Sequence, residues 1–589
     1  LVSLYDINLI DFGKIMLLKP QKSCHIHIIY YFCKLVIRNL AMKHRLPILL
    51  SLLIALTLWQ CARRGSPTGG PKDITPPMLL QSVPKSETVE FKGKKIRLQF
   101  DEFVVTKDVR KQLIISPPMK TFPIISPTSA SKWLEINIVD TLKPNTTYVL
   151  NFGNSIQDYN EGNPISDFKY VFSTGSTLDS LWYEGDIADA IAPKPDNFVT
   201  VMLYPYNEQY NDSLVYKTQP TYVTNTLDSL DSFVLEYLKE GKYKLIALKE
   251  KSPNYIFNPK DDKIAFMDEP ITVADLKGNP QGFYPKLRLF KEVPPYKAHR
   301  PTQVAGNRVQ FGFEGKTDSV KIKPISHVTP DFKYIISKDP KKDTLNFWYT
   351  PKQKDSLVFT IAKQQKIDTF KVRLKEMKND SLQVENLFSG DLPMHKDFGF
   401  KSNIPIVKTD PSKLKVFAGK DSTAVAVPFK TRLDPNNLEF YLSFDKKNDE
   451  TYRIEALPNA LTDFFGHTND TLKVTLRTKK LEEVAILKMH LNVAENTLQY
   501  PLILQLTNEK ATEVLREIYI EKPLTEYLFE NVTPGKFRLR LIEDKNKNRQ
   551  WDTGSFLEHR QPERVWYLPK EIELRANWEV EETWQITNP

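Results

Sequence analysis

Apolar and charged residues alternate with a period of two along most of this chain. The alternation is clearest at residues 95–100, 133–138, 242–247, 413–417 and 536–541. Such a pattern places apolar side chains on one face of a strand and charged side chains on the other, as in half-buried antiparallel strands. Few glycines (21) and many prolines (41) suit short strands joined by proline-bearing turns. We therefore predict an all-β chain of tandem antiparallel β-sandwiches, with residues 511–519 as a candidate short helix.

One segment of the chain recurs. Residues 233–245 match residues 527–539 without a gap, 294 positions later, in the order aromatic, apolar, glycine, aromatic, apolar. Agreement over thirteen ungapped positions predicts a duplicated module. The glycines, Gly241 and Gly535, are expected at the tight turn, where glycine adopts a positive φ easily.

A second, weaker repeat accompanies the first. Tyr148, Asp158, Gly162 and Thr174 have counterparts, in the same order, in Tyr452, Asp463, Gly466 and Thr478. The chain thus reads as one pair of β modules that occurs twice, with a further alternating segment between the pairs.

The first module resembles a known domain. Its residues include Thr75-Pro-Pro77, Phe100-Asp-Glu-Phe103, Leu142 to Tyr148, Ile156-Gln-Asp158 and Phe172-Ser-Thr174. In this order they resemble the bacterial Ig-like domain of the SbsA type, which implies a spacer or platform. The modules around Gly241 and Gly535 resemble the prealbumin-like sandwich that is also seen in carboxypeptidase regulatory domains.

These resemblances predict five β modules. They are an Ig-like domain at 75–175, a prealbumin-like sandwich at 181–293, a β segment of unnamed fold at 300–378, a second Ig-like domain at 380–479 and a second prealbumin-like sandwich at 482–589.

The residues before the first module have the form of an export signal. Met42 is followed by basic residues 43–45, by an apolar stretch of 14 residues at 46–59 and by Cys61. That stretch is too short for a membrane span, which needs about 20 apolar residues, but has the length of a signal-peptide apolar region. We predict a signal peptide at 42–60, lipidation at Cys61, a tether at 61–74 and an over-extended gene start at 1–41. Trp59 and Gln60 are bulky where a lipobox usually has small residues, so a secretory segment with an incidental cysteine is the alternative.

Taken together, the signal and the Ig-like module resemble the Ig-like-domain lipoproteins of Bacteroidetes. That resemblance implies the outer membrane, and Arg63 and Arg64, where surface-export signals tend to be acidic, favour its periplasmic face. Residues 61–589 carry 75 basic and 70 acidic side chains, so their near balance gives no reason to expect nucleic acid as a partner. The expected partners are the membrane, through the lipid, and an envelope protein or a glycan.

A single loop has the spacing of a metal site. Asp544, Asn546, Asn548 and Asp552 occupy positions 1, 3, 5 and 9 of a Ca²⁺ loop. Arg549 stands at position 6, where glycine is usual, and Ser555 stands at position 12, where glutamate is usual. The alternative is an Asx-rich turn between strands. The first copy offers Glu250, Ser252, Asn254 and Asn258 at the matching positions, with one carboxylate, and is expected to bind a divalent ion poorly.

Catalysis is not expected. The six histidines after Cys61 lie on separate segments, and metalloprotease and Gly-x-Ser-x-Gly motifs are absent from the sequence. We predict a non-catalytic scaffold, with glycan or peptide binding by the C-terminal sandwich as the alternative and a hydrolase with Ig-like spacers as a third. Aromatic residues near the C-terminus could line such a surface, but parity places Trp578 and Trp584 on one strand face, which favours burial of both.

Overall fold

The protein is almost entirely β in the part of the chain that the computed structural model describes, which is residues 72–227, 231–274, 284–339, 342–420, 423–494 and 498–587. The predicted all-β class is confirmed. The α-helix α1 is a single turn at Val109–Gln112, and within the described ranges no helix is long and apolar enough to cross a bilayer. Cys61, the signal peptide, most of the tether and residues 1–41 lie outside the described residues.

The first Ig-like sandwich is built from strands β1 to β8. Its five-stranded sheet has the order β1-β2-β5-β4, with β7 paired to β2, and its three-stranded sheet has the order β3-β6-β8. Both sheets enclose one apolar core that includes Leu98, Leu134 and Phe172. The strands are β1 Leu79–Val83, β2 Lys95–Thr106, β3 Ile114–Ser116, β4 Ile124–Ser126, β5 Ser131–Asn137, β6 Thr147–Asn151, β7 Ile156–Asp158 and β8 Lys169–Ser173.

Between the first Ig-like sandwich and the middle of the chain lies the first companion sandwich, β9 to β16. Its sheets have the orders β11-β10-β13-β14, with β15 paired to β13, and β12-β9-β16. The last strand runs parallel to β9. The strands are β9 Leu181–Asp189, β10 Thr200–Pro205, β11 Tyr222–Asn225, β12 Ser232–Leu238, β13 Gly241–Lys249, β14 Lys263–Phe266, β15 Ile271–Val273 and β16 Lys286–Leu289.

The middle segment, which the sequence could not name, is also a two-sheet sandwich. Its sheets have the orders β17-β19-β22-β21, with β18 paired to β19, and β20-β23-β24. Phe311, Phe347 and Phe359 pack together at its centre. The strands are β17 Lys297–Ala298, β18 Thr302–Ala305, β19 Arg308–Glu314, β20 Lys321–Pro324, β21 Lys333–Lys338, β22 Thr344–Thr350, β23 Ser356–Lys363 and β24 Lys366–Arg373.

The second Ig-like sandwich spans β25 to β35. Its sheets have the orders β25-β27-β32-β31 and β26-β35-β33-β29-β30, and β28 pairs with β34. The strands are β25 Val384–Asn386, β26 Gly390–Asp391, β27 Phe398–Ser402, β28 Ile406–Thr409, β29 Leu414–Ala418, β30 Val425–Ala426, β31 Lys430–Leu433, β32 Glu439–Ser443, β33 Thr451–Ala456, β34 Leu461–Asp463 and β35 Leu472–Arg477.

The second companion sandwich, β36 to β43, ends the described chain. Its sheets have the orders β38-β37-β40-β41, with β42 paired to β40, and β39-β36-β43. The strands are β36 Ala485–Val493, β37 Leu502–Asn508, β38 Val514–Ile520, β39 Tyr527–Val532, β40 Gly535–Glu543, β41 Val565–Tyr567, β42 Ile572–Leu574 and β43 Glu579–Ile586. Short 3-10 turns occur at Asp212–Tyr216, Pro411–Lys413 and Leu481–Glu483.

Both predicted repeats are confirmed in the strand orders and in side-chain bonds. In the Ig-like pair, the Tyr148 hydroxyl accepts a hydrogen bond from the Lys143 N–H at 2.8 Å, and Tyr452 accepts one from Lys447 at 2.8 Å. A tyrosine that bonds backbone a few residues upstream fixes a corner of an Ig-like sandwich. The companion pair shares every strand pairing, including the parallel contact of its last strand with its first.

The glycine prediction is confirmed at Gly241 and wrong at Gly535. Gly241 has a positive φ of 156°, whereas Gly535 has no positive φ. Left-handed φ values of 56° and 53° occur at Tyr237 and Asn531, where β12 and β39 each carry a bulge. In the second copy the extra residue of the bulge therefore supplies the positive φ that was expected at the glycine.

Three other local expectations are wrong, each because tertiary packing overrides the local pattern. Residues 514–520 form strand β38 instead of a helix, because they pair with β37 at the sheet edge, as β11 pairs with β10 in the first copy. Strand β13 is buried on both faces from Tyr243 to Leu248 and does not alternate. Trp584 is buried, but Trp578 precedes β43 and remains 50% exposed, with the Arg575 guanidinium stacked on its ring.

Candidate functional site: the Asp544 loop and its docking surface

The loop between β40 and β41, residues 544–564, brings the four predicted metal ligands together. The fully buried Asp544 carboxylate accepts hydrogen bonds from the backbone N–H groups of Asn548 at 3.1 Å and Arg549 at 2.9 Å. The side-chain amides of Asn546 and Asn548 each donate to Oδ2 of Asp552 at 2.5 Å. The loop is therefore closed by its own Asx bonds.

A buried glutamate, which the sequence reading did not single out, completes the loop. Glu563 accepts from the Lys545 N–H at 2.8 Å through one oxygen and from the Asp552 N–H at 2.9 Å through the other. Burial raises the pKa of Glu563, against these two hydrogen bonds, which lower it. At Asp552 burial likewise favours the neutral acid, but bonds from Asn546, Asn548 and Lys316 outweigh it and lower the pKa.

The first copy has the same loop network. Glu250 accepts from the N–H groups of Asn254 and Tyr255, four and five residues on, as Asp544 does from Asn548 and Arg549. Asp262 accepts from Lys251 and Asn258, which are the positional counterparts of Lys545 and Asp552. Asp262 thus takes the place of Glu563. The first copy thus has the same hydrogen bonds with only one carboxylate at the four candidate ligand positions. The role that both copies share is therefore to hold the loop in shape.

The two ends of the Asp544 loop are joined by an ion pair. Glu543, the last residue of β40, has a fully buried side chain that receives two guanidinium bonds from Arg564, at 2.9 Å and 3.0 Å. Burial would raise the pKa of Glu543, but the Arg564 hydrogen bonds dominate and lower it. The first copy has Lys249 at the position of Glu543, so this clasp belongs to the second copy.

Beyond its Asx turn, the loop packs onto the first companion sandwich. Phe556 is fully buried and lies with its ring centroid 5.1 Å from that of Phe266. The Thr553 hydroxyl donates to the Lys291 carbonyl at 2.7 Å, and the Tyr567 hydroxyl donates to the Ile191 carbonyl at 2.5 Å. The two duplicated sandwiches are thus held together by residues far apart in sequence, 262 positions for Thr553 and Lys291 and 376 for Tyr567 and Ile191.

Close packing fixes this contact at Gly554. A Cβ there would lie 2.6 Å from the Phe290 ring and 2.6 Å from the Arg560 carbonyl oxygen, so only glycine fits. The His559 ring nitrogen lies 2.9 Å from a carboxylate oxygen of Asp212, and Lys316 of the middle sandwich reaches Asp552 at 3.3 Å. We call the apolar contact the docking cluster, whose aromatic members include Tyr216, Phe257, Phe266, Phe290 and Phe556.

The sheet that receives the loop is unusual because both its faces are buried. Leu203 and Leu245 point into the sandwich core, whereas Met202, Ile246 and Leu248 point into the docking cluster. By register, Gln505 and Arg540 occupy the outer face of the matching sheet in the second copy, where they bond to each other at 2.6 Å. The outer faces of the two copies have therefore diverged in chemistry: the first is apolar and packs against the loop, whereas the second carries the polar pair of Gln505, which is 8% exposed, and Arg540.

Calcium binding at Asp544, Asn546, Asn548 and Asp552 stays a prediction. Among the residues that the structure describes, no group of three or more His, Cys, Asp or Glu could hold a metal ion. To bind Ca²⁺ here, Asn546 and Asn548 would have to turn their amide oxygens toward an ion beside Asp552. They would then lose the hydrogen bonds that their amide nitrogens donate to Oδ2 of Asp552.

We accordingly expect a weak calcium site. Titration of the chain with CaCl₂ in a calorimeter should give a dissociation constant of about 10⁻⁴ to 10⁻³ M, the range of extracellular modules. Asp552→Asn should abolish the heat, whereas Asp262→Asn in the first copy should leave it. A heat that survives Asp552→Asn would place the ion elsewhere.

The fold and the loop define a tandem β-sandwich protein in which a module pair is duplicated and docked on itself. Residues 73–174 match the family of the bacterial Ig-like domain, so the resemblance noted for the first module is confirmed. No curated protein sequence matches the chain.

Similar solved structures include the surface layer protein SbsC, domains 1–6, at 10% identity, covering 85% of this chain and 68% of that chain, with a TM-score of 0.14. The Bacillus anthracis TIE protein is similar at 10% identity over 49% of this chain and 57% of that one, with a TM-score of 0.12. The N-terminal four Ig domains of Dscam1 are similar at 9% identity over 86% and 100%, with a TM-score of 0.15. Likeness at these scores carries no argument about function.

Proposed function

We propose that this chain is a non-catalytic lipoprotein of the outer membrane, anchored through Cys61, that acts as a multi-domain β scaffold or interaction platform in the cell envelope. The observation that supports the scaffold role most is the docking of the two companion sandwiches through Phe556 and its neighbours. A fully packed aromatic contact between distant modules restricts their relative motion, which suits a platform better than a flexible tether.

The non-catalytic part of the proposal has its support in the placement of titratable side chains. The histidines lie in different places: His299 beside Glu314, His467 beside Asp463, His490 beside Glu581 and His559 beside Asp212. Each of these four lies within 3.3 Å of a carboxylate oxygen, and His490 has a second carboxylate, that of Glu526, at 4.0 Å. The four pairs lie in four separate places in the described chain, so none brings two histidines together, and each is accounted for as a structural ion pair or hydrogen bond.

The anchor and address of the proposal rest on the sequence at residues 42–64. The two companion sandwiches are proposed to be prealbumin-like from the sequence at residues 233–245 and 527–539, and they share one strand order with each other. The periplasmic face is proposed from Arg63 and Arg64.

The lipid anchor makes a sharp prediction. Mass spectrometry of the N-terminus of the protein purified from membranes should find a diacyl or triacyl cysteine at Cys61. Cys61→Ser should move the protein from the membrane to the soluble fraction, because two or more acyl chains are what holds a protein stably on a bilayer. An unacylated wild-type N-terminus in the membrane fraction would contradict the anchor, and the docked scaffold would remain to be judged separately.

The alternative function, a glycan- or peptide-binding envelope protein that uses the C-terminal sandwich, is favoured by one observation. A cleft opens between the second Ig-like sandwich and the second companion sandwich, lined by Arg516, Lys536 and apolar side chains.

A further inference from the structure

The two Ig-companion junctions of the chain differ, although the modules on either side are repeats. In the first junction, strand β3 of the Ig-like sandwich packs beside the edge strand β11, and Ser116 Oγ accepts the Val223 N–H at 3.1 Å. In the second junction the counterpart strands, β29 and β38, are not packed in this way. A cleft of about 410 Å³ lies there instead.

A change of residue type accompanies the cleft. Leu203 pairs with Leu245 on one side and Tyr222 on the other, and Leu506 pairs with Leu539 and Arg516. Arg516 is therefore the structural counterpart of Tyr222. Tyr222 is 4% exposed and its ring packs edge-on against Tyr243. At the same place the second copy has a guanidinium that lines an open cavity.

Arg516 has N–H groups that are available to a ligand. Within the described ranges its hydrogen bonds run from Nη2 to the backbone carbonyls of Asn531, at 3.0 Å, and Glu530, at 3.4 Å, and it forms no ion pair. Burial lowers the pKa of Arg516 to about 10, and no acidic group acts against that shift. The Nε and Nη1 hydrogens remain for a ligand, and a guanidinium fork matches a carboxylate in two parallel bonds.

The surroundings of Arg516 are cationic at the rim and apolar in the wall. Lys396 and Lys536 line the cleft without a carboxylate partner in the described chain, while Lys479 lies 3.6 Å from Asp391. Desolvation in the cleft, followed by the charges of Arg516, Lys396 and Lys446, lowers the pKa of His395 to about 4. The apolar wall comprises Leu392, Val484, Leu515, Val532 and Phe537.

The cleft also lies along an open sheet edge. Strand β38 contributes Leu515 and Arg516 and pairs with β37 on one side, while no strand of the described residues pairs with its other side. An extended peptide can add to such an edge through backbone bonds, with alternate side chains directed into the pockets beside it.

From this combination we infer that the cleft between the second Ig-like sandwich and the second companion sandwich binds an extended acidic peptide segment of a partner protein, with a carboxylate on Arg516 and apolar side chains against Leu515 and Phe537. The inference goes beyond the scaffold role and holds whether or not Cys61 carries a lipid. An acidic glycan or an anionic lipid surface would satisfy the charge but would leave the apolar wall and the strand edge unused.

The test is a calorimetric titration of the full chain with the peptide Ac-Leu-Glu-Leu-Glu-Leu-NH₂ and its uncharged twin, in which both glutamates are glutamines. We expect saturable binding of the acidic peptide that weakens as salt is added, since the rim charges are exposed to solvent. Arg516→Gln should weaken it by about 10- to 100-fold, the range for a lost charge-assisted bond. Arg538→Gln, which breaks a pair with Glu571 outside the cleft, should leave it unchanged.

A second variant guards against a simple folding defect. Arg516→Tyr installs the residue that the first copy has at this register, so the sandwich should fold normally while the cleft is filled and binding is lost. Equal affinity for the two peptides, or undiminished binding by either Arg516 variant, would overturn the inference. So would saturable binding of oligogalacturonate or phosphatidylglycerol vesicles in place of the acidic peptide.

Discussion

Phe556→Ala is expected to release the second companion sandwich from the first. The side chain is fully buried in the docking cluster, and truncation of a buried phenylalanine costs about 3–5 kcal/mol. Because this contact joins two modules that each have their own core, the loss should fall on docking and not on the folding of either module. Hydrogen exchange should then rise at residues 553–561 while the strands of both cores stay protected.

The neighbouring residue provides the matched control. Leu557 is 60% exposed, so Leu557→Ala should change stability by no more than about 0.5 kcal/mol and leave exchange unaltered. If Phe556→Ala and Leu557→Ala behave alike, the aromatic contact does not hold the two copies together.

Glu543→Gln should destabilise the loop clasp by about 3 kcal/mol at neutral pH. Removing one partner of a buried ion pair costs about 3–5 kcal/mol, and the lower end applies because Arg564 is 31% exposed and regains some water. The measurement is the protection of β40 and β41 amides against exchange as denaturant is added.

The same pair predicts a pH dependence. The folded pKa of Glu543 is lowered, so its contribution is present above the ordinary pKa of a glutamate, about 4.3, and is lost as the pH falls through the folded value. Wild type should therefore lose protection at this loop below about pH 4, and Glu543→Gln should lose less. Glu513→Gln, at an exposed residue of the same sandwich, should follow wild type. Equal acid sensitivity in Glu543→Gln and wild type would contradict the role of the clasp.

The strands and repeats could be predicted because their signals are local. Alternation at 95–100 and 536–541 corresponds to buried inward residues in β2 and β40. The match of 233–245 to 527–539 corresponds to equal burial of the paired aromatic residues. Phe233 and its counterpart Tyr527, and Tyr243 and its counterpart Phe537, are all at most 6% exposed. The order of Tyr148 and Thr174 was likewise enough to find the second Ig-like sandwich.

The docking could not be predicted from alternation, because its signal is a departure from alternation. The runs Val201 to Tyr204 and Leu245 to Leu248 are continuously apolar, as strands buried on both faces are. The matching runs of the second copy contain Gln505 and Arg540. A comparison of the outer faces of the two copies would have indicated that the first companion sandwich is covered, though not by what.

The cleft could not be predicted from the sequence for a different reason. Arg516 lies outside the ungapped repeat, and its equivalence to Tyr222 appears only when strand register is known. Spacing alone brings the four candidate residues of the loop to attention, whereas it does not indicate Glu563, which approaches Asp552 from 11 residues further along the chain.

The central claim is that the Asp544 loop of the second companion sandwich folds back onto the first companion sandwich and the middle sandwich. Zero-length carbodiimide coupling of the dilute protein tests this directly, because it joins only amines and carboxylates already in contact. We predict a cross-link between Lys316 and Asp552, which lie 3.3 Å apart, alongside the Lys260 to Glu314 cross-link as an internal standard at 2.9 Å. Recovery of the standard without any cross-link from residues 544–563 to residues 181–378 would contradict it.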